Sequence, residues 1–556
     1  MNLRKHFKIL AAFAIAFTLL ALVPAIRTEA AAKKGLVIML DGLRSDALLS
    51  ASTPSMDSII TGEWAPGYKS AWTFEAHTNL DSPPSSATNH VAIVTGVTAT
   101  KNNCYENGQI PQTKWDEYPS YMSRLRKTIP DIKTAWIFNW GEDADIQSDA
   151  TYVGEPSGDE KLSGMCVQFL NGTFPAGDGI QGSHWSEGDD IDLVTIYLDS
   201  VDGNGHGHGF TPNSDNYIKC VEWMDEQIGK FLAAIKGRPN FADEDWLVAV
   251  VSDHGGIGRG HGVVGSQNCY TIPILVSSRN LPAGRMKGQP LNCDVAAYVM
   301  NHFTGKIPAE FDGKIEEASP DPARSLSDGL LAYFPFEGDV NPAFGEIKAE
   351  AGIVPPDFVM DGQIGKAVSF VDENPISLGK PTSMQFGANG DFTIAFWFRT
   401  SEPQKVDAPF LGNKNWNDGQ QAGVLMAANV LSDEGTKLEL NMGDGSNRLD
   451  LNPLEYQADG QWRFAAATAD RDGNAVLYLG EPTGRLSFIS DSIAGLGDLN
   501  NLGWKLGQDG TGSHGFRFTG DMDEFMVWNR PLTNFEVNAL YKAGLEKISI
   551  LKASGK

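Results

Sequence analysis

Gly35-Leu-Val-Ile-Met-Leu-Asp41-Gly-Leu-Arg44 and Leu193-Val-Thr-Ile-Tyr-Leu-Asp199-Ser-Val-Asp202 follow one pattern, and Leu247-Val-Ala-Val-Val-Ser-Asp253-His254 repeats it. Each is a short continuous apolar run that ends on a carboxylate. Apolar runs of this length without polar alternation read as strands buried on both faces, the kind found in parallel sheets covered by helices. Helical periodicity fills the intervals, as from Tyr217 to Ile235. Residues 33–310 are therefore expected to be α/β, a mostly parallel sheet covered by helices. In open sheets of this kind ligands bind just past the carboxyl ends of the strands, where these acids stand.

The residues around the three acids carry chemistry. The second run continues through Gly203-Asn-Gly-His206-Gly-His208-Gly209, and Gly260-His261-Gly262 follows the third. Acids and imidazoles converging on one crevice, with room for solvent, suit a catalytic zinc site better than a closed structural one. The glycines let the backbone turn tightly beside it. Taken singly, an Asp-Gly after a strand is a turn and His206 a surface residue; the three together, in order, point to a metal centre. Ser86, in Ser85-Ser86-Ala-Thr-Asn89-His90-Val-Ala-Ile-Val-Thr95-Gly96, is a candidate alcohol nucleophile. If it opens a helix, the free amides there favour a developing oxyanion; alone, it reads equally as an N-cap. His77 and His184 are read as without a role, and Asp46, Asp199 and Asp225 as structural.

A chain of 556 residues exceeds one core. From Lys306 to about Asp328 it turns acidic and Pro-rich, so residues 311–328 are read as a linker. Beyond it, Phe392–Phe398, Arg463–Thr468, Ala475–Leu479 and Phe525–Trp528 are short apolar runs between Gly, Asp and Asn turns. That texture predicts an all-β sandwich over 329–546, closed by a short helix from Asn534 to Ala543.

At the other end, Arg4, Lys5 and Lys8 precede an apolar run from Ile9 to Ile26, and Ala30-Ala31-Ala32 follows. Residues 1–32 thus have the three parts of a cleaved secretory signal, which implies a secreted or periplasmic protein without stable membrane insertion. The net charge is −26; residues 1–32 hold four bases and one acid, so the remainder carries −29. Such a surface repels polyanions and argues against a nucleic-acid duplex as partner, while cations in a cleft would still admit a small phosphate ester. Five cysteines, Cys104, Cys166, Cys220, Cys269 and Cys293, leave at least one thiol unpaired. Cys269–Cys293 is the expected disulfide and Cys220 a packing residue on a helix.

These motifs resemble the alkaline phosphatase superfamily, and within it the nucleotide pyrophosphatase/phosphodiesterase branch, over about residues 34–275. Ser86, Asn89, His90, Thr95 and Gly96 match the branch's spacing around its nucleophile, and Asn107 stands where it has a phosphate-binding Asn. Asp41–Arg44 matches its Asp-Gly-x-Arg, and Asp202, Gly205, His206 and Gly209 its Asp-x-x-Gly-His-x-x-Gly. Asp253-His254-Gly255 matches its Asp-His-Gly, and His261 best matches its final His. The resemblance implies two zinc ions, or other divalent cations. Asp202, His206 and His261 would hold one; Asp41, Asp253 and His254 would hold the other, with Ser86 bridging towards it. Asn107 and the amides beside Ser86 would bind the phosphoryl group. The implied activity is phosphoric ester hydrolysis through a phosphoserine.

Departures from the pattern bear on the substrate. Most members have Thr where Ser86 stands. Sulfatases of the superfamily need Pro and Arg at the places of Thr88 and His90, so formylglycine maturation is not supported. Monoesterases and phosphonate hydrolases of the branch carry basic residues in the stretch corresponding to Gly164–Gly177, which here has none. This favours a diester over a monoester, whose dianion wants more positive charge.

The second half is similar to laminin G-like, concanavalin A-like jelly rolls, through Gly329–Asp339 and Gly520–Leu532. That resemblance implies calcium held by Asp339 and Asp523 and a glycan or cell-surface ligand, for which Trp416 and Trp504 are candidate stacking platforms. The rival readings are a phosphomonoesterase or phosphonate hydrolase on the same site, and a carbohydrate-binding surface protein whose hydrolase part is inactive.

Overall fold

The structure is a computed structural model, and it describes residues 31–319, 325–371, 374–404, 407–418, 420–430 and 436–553. The signal expected over residues 1–32 lies, but for its last two residues, outside the described ones. Among the described residues no helix is long and apolar enough to cross a membrane.

The first half is built on a mixed nine-stranded sheet. Its centre is three parallel strands, Leu193–Leu198, Ala32–Leu40 and Glu244–Ser252. Their register sets Leu40 opposite both Leu198 and Ser252. Hence all three chains leave the sheet at one level, and Asp41, Asp199 and Asp253 emerge side by side. Every residue of these strands from Leu36 onward is fully or almost fully buried, which explains why their sequences show no alternation. Thr134–Ile137 and Tyr152–Gly154 extend the parallel part on one side. On the other side the sheet turns antiparallel through Thr271–Ser278 and Lys69–His77. Gly284–Met286 and then Ala318–Ser319, from the stretch read as a linker, finish that edge.

The second half is a sandwich of two sheets in which every strand pair is antiparallel, the chain of residues 330–528 crossing repeatedly between them. One sheet runs from Phe344–Gly345 through Gly520–Trp528 and Phe392–Arg399 to an edge strand, Leu486–Ser492. The inward sides of both sheets share a core rich in Phe, including Phe334, Phe396, Phe410 and Phe525. The helix Asn534–Leu545 follows, opened by a capping box between Thr533 and Glu536.

The two halves pack closely. A single apolar cluster runs from Leu36, Phe210 and Tyr217 of the α/β half to Trp397, Phe464 and Tyr541 of the sandwich half. Phe535 wedges edge-on against Trp72 and Phe74, with ring centroids 5.4 and 5.6 Å apart. The disulfide expected between Cys269 and Cys293 is not formed: all five cysteines are unpaired and buried. They serve as small apolar groups, Cys104 in one cluster and Cys166 and Cys220 in another. Trp504 is interior, its Nε1 donating to the Met384 carbonyl at 3.2 Å. Trp416 is half-buried with the Lys414 ammonium 5.7 Å above its ring.

Candidate metal centre and nucleophile

The crevice beyond Leu40, Leu198 and Ser252 is shaped first by backbone. Gly42 has φ +67°, and a Cβ on it would lie 2.9 Å from the Cα of Asp202. A side chain here would push the first and second acids apart. The segment after Asp199 is helical, Ser200–His208, despite three internal glycines that each cost a helix up to about 1 kcal/mol. One of them, Gly205, is required by packing, since a Cβ there would meet the Phe210 ring at 2.3 Å. The helix places Asp202 and His206 four residues apart on one face, with His206 Nε2 3.3 Å from Asp202 Oδ2.

Three imidazoles face this crevice in the same sense. His206 Nδ1 lies 2.8 Å from the Arg259 carbonyl, His254 Nδ1 2.8 Å from that of Gly255, and His261 Nδ1 3.2 Å from that of Pro84. A carbonyl can only accept, so the proton belongs on Nδ1 and each Nε2 keeps a lone pair. His254 Nε2 is 3.3 Å from both Asp41 Oδ1 and Asp253 Oδ2. His261 Nε2 is 3.8 Å from Asp202 Oδ1. Asp202, His206 and His261 form one cluster of ligand atoms, Asp41, Asp202 and His254 a second, and Asp41, His90 and Asp253 a third. Asp41 Oδ1, Asp202 Oδ1 and Asp253 Oδ2 are buried and have no hydrogen-bond partner among the described residues. Buried oxygens left open beside open imidazole nitrogens fit divalent cations, and the mixed N/O set is one zinc favours.

The acids respond to this crowding. Burial, and then the charge of Asp253, holds Asp41 well above the usual carboxylate range. Burial and Asp41 push Asp202 up to about 7. Burial works to raise Asp253 too, but His254, His90 and the Gly42 N–H outweigh it and hold that carboxyl below its ordinary value. Burial and the neighbouring His254 lower His261 to about 4, which keeps its ring neutral, the form a metal needs.

Ser86 opens the helix Ser86–Thr95, with Ser85 as N-cap. Its Oγ lies 3.1 Å from His254 Nε2, which brings the hydroxyl to the ligand groups. Asn107 Oδ1 accepts from the Ala87 N–H at 3.1 Å. That bond uses one of the helix-terminal amides expected to bind phosphoryl oxygens and turns the Asn107 amino group outward. Asn89 braces the loop: its Nδ2 donates to the Ser85 carbonyl at 2.9 Å, and its Oδ1 accepts from the Asn79 N–H and the Asn292 side chain.

Some neighbours carried no expectation. His90 Nδ1 is 2.9 Å from Asp143 Oδ1, and its Nε2 3.3 Å from Asp253 Oδ2, all of them buried. Burial opposes a charge on His90, yet Asp143 and Asp253 push its pKa above the ordinary imidazole value. Tyr197 donates its hydroxyl to Asp41 Oδ2. The motif spacing singled out His90 without a role. Asp143, on the short turn Gly141–Asp145, carried no signal at all.

The remaining expectations concern residues elsewhere. His208 is exposed and belongs to none of the ligand clusters. His77 is buried against Gln289, and His184 is exposed beside Asp178. Asp46 pairs with Arg44, Asp199 accepts from Asn139, and Asp225 accepts the Ser55 and Met56 N–H groups. Asp339 is exposed and accepts from the Asn341 N–H. Asp523 is buried and accepts from Ile364 and Glu524. Among the described residues no cluster of three ligand groups contains either acid.

Residues 36–259 match the family described as Type I phosphodiesterase / nucleotide pyrophosphatase, and residues 373–538 the Concanavalin A-like lectin/glucanases superfamily. The first half thus carries a domain of that phosphodiesterase family and the second a concanavalin A-like domain. Ectonucleotide pyrophosphatase/phosphodiesterase family member 7 of Mus musculus is 27% identical over 256 residues, 42% of this chain and 53% of that protein. The Homo sapiens protein of the same name is 23% identical, over 41% of this chain and 49% of its own length. The chain spans about half the length of the curated relatives it matches. Among solved structures, one in complex with its substrate D-glucosamine-2-N,6-O-disulfate aligns at TM-score 0.38 and 12% identity, covering 62% of this chain and 90% of that one. Domain 4 of an extracellular arabinanase from Geobacillus stearothermophilus, with arabinotriose, aligns at 0.29 and 18%, covering 38% and 98%.

Proposed function

We propose that the chain is an exported phosphodiester hydrolase that works through a phosphoserine on Ser86. The observation that supports this best is the hydroxyl of Ser86 at a helix N-terminus, 3.1 Å from His254 Nε2, beside three buried carboxylate oxygens with open lone pairs. Asp202, His206 and His261 would hold one zinc; Asp41, Asp253 and His254 would hold the other, with Ser86 alongside. Bound there, the two cations would lower the pKa of a hydroxyl and offset charge building on the phosphoryl oxygens.

The chain's own residues do the rest. The Asn89 brace fixes Ser85, so the first helical turn presents Ser86 Oγ to the crevice. The Asn107 amino group, turned outward by the Ala87 N–H, donates to a non-bridging phosphoryl oxygen. Ser86 Oγ bonds to phosphorus as the bond to the leaving alcohol breaks in line, and the serine proton passes through solvent to that alcohol. Water then displaces Ser86 Oγ, which regains its proton. The Gly164–Gly177 stretch supplies no base for a second phosphate charge, which supports a diester. A small phosphate ester would be the substrate of this half and a glycan or cell-surface group the ligand of the sandwich.

Ser86→Ala tests the reading. Hydrolysis of bis-p-nitrophenyl phosphate should fall at least about 10³-fold, while bound zinc stays near two per chain. A variant as active as the parent would remove Ser86 from the mechanism. Faster hydrolysis of p-nitrophenyl phosphate than of the diester by the parent would favour the monoesterase reading.

A further inference from the structure

Arg44 follows the first acid by three residues and touches no group assigned a chemical role above. It is 6% exposed, and its guanidinium makes five hydrogen bonds. Nη1 donates to the Phe210 carbonyl at 2.7 Å and to that of Gly256 at 3.0 Å. Nη2 donates to the Asn268 side chain at 2.9 Å. Phe210 ends the segment that carries Asp202 and His206, and its ring stands against those of His206 and His261. Gly256 lies two residues past His254, and its N–H donates to the Asn268 carbonyl. One side chain therefore ties together the loops that leave all three central strands. A lysine could not replace it, because a single ammonium cannot span diverging acceptors as a planar fork does.

What holds Arg44 is Asp46, through Nε to Oδ1 at 2.9 Å and Nη2 to Oδ2 at 2.5 Å. Asp46 Oδ2 also accepts the Phe488 N–H at 3.3 Å. Phe488 is on Leu486–Ser492, the edge strand of the sandwich, and this N–H faces away from its own sheet. Ser50 Oγ reaches the Leu486 carbonyl of the same strand at 3.2 Å. The helix Ser45–Ser50 thus covers an open strand edge, the part of a sheet that most needs covering, and Asp46 is the point where a hydrogen bond from the sandwich meets the residue that holds Arg44.

We propose that Arg44 is a positioning residue for the metal-ligand loops and that the sandwich, through the Phe488 N–H and Asp46, keeps it in place. Metal affinity in the first half would then depend on an edge strand of the second. The inference rests on the two-metal reading above.

The test uses the full chain, zinc affinity by competition with a chromophoric chelator, and the visible spectrum of the cobalt-loaded protein, which reports ligand geometry. Phe488→Ala and Phe488→Pro both remove the ring, but only proline removes the N–H, at an edge position where proline is tolerated. Zinc should bind about tenfold more weakly to the proline variant than to the alanine variant. Arg44→Lys and Asp46→Asn should each lose about 10–100-fold and alter the cobalt spectrum, with far-UV circular dichroism unchanged. Equal affinity in the two Phe488 variants overturns the role of the sandwich; parental affinity and spectrum in Arg44→Lys overturn that of Arg44. If the proline variant does not fold, Ser50→Ala, which removes the bond to the Leu486 carbonyl of the same strand, takes its place, and parental zinc affinity there overturns the role of the sandwich. A parent protein that takes up neither zinc nor cobalt would instead refute the two-metal reading itself.

Discussion

Asp253 and Asp523 are buried acids, one in each half, at 1% and 0% exposure, and they are handled oppositely. Asp253 keeps Oδ2 open, with His90 and His254 each 3.3 Å away, and its pKa is held down. Asp523 has Oδ1 filled by the Glu524 N–H and Oδ2 by that of Ile364, and burial and Glu524 push it up to about 9. Glu524 is likewise filled by the Tyr333 hydroxyl and stands at about 8. Burial alone therefore does not make an acid functional. A buried carboxylate with an unused lone pair facing imidazoles is arranged for a cation; one with its acceptors filled holds loops together.

This contrast can be broken experimentally. The largest effect should come from chelation: EDTA should abolish diester hydrolysis, and zinc should restore it. Retained turnover after verified metal removal would mean that the open lone pairs serve something else. A smaller effect is expected at Asp143, which reaches the crevice only through His90. Asp143→Asn should weaken metal binding about 10–100-fold, whereas Asn at Asp523 should leave metal content unchanged; metal analysis after dialysis reads both.

The smallest effect is on stability. Asp523 and Glu524 have folded pKa values raised above the unfolded value of about 4, so the folded state binds more protons between them. The stabilisation they give is complete below pH 4 and is lost as the pH climbs through about 8 and 9. Glu524→Gln should flatten this dependence, melting a few degrees above the parent at pH 9 and no higher at pH 5. An unchanged slope between those pH values would mean the pair is already ionised in the fold.

Much of the crevice was legible because its information is local. Asp41 and Asp253 follow an apolar run directly, His254 stands one residue further and Asp202 three residues past Asp199, and the register of parallel strands converts that into proximity. His261 was reached by resemblance, and its Nδ1 bond to Pro84 ties it to the nucleophile loop. The His90–Asp143 pair was not legible. Fifty-three positions separate the two residues, and a short turn without periodicity supplies the acid. Nor did the glycines of Ser200–His208 read as a helix, since what shapes that segment is the Phe210 ring against Gly205. The Cys269–Cys293 expectation failed because counting thiols says nothing of their separation in space. In the sandwich, the turn-punctuated runs marked the strands, and the pattern from Asn534 to Ala543 marked the closing helix, whose capping box went unread.

The Phe535 wedge, together with the apolar mass shared from Leu36 to Tyr541, has a consequence for handling the protein. Clipping the chain between its halves would expose greasy surface on both fragments, so neither would survive as a well-behaved reagent. Scanning calorimetry of the intact chain should show one heat-absorption peak, and exchanging the rear module for an unrelated one would need the whole seam rebuilt.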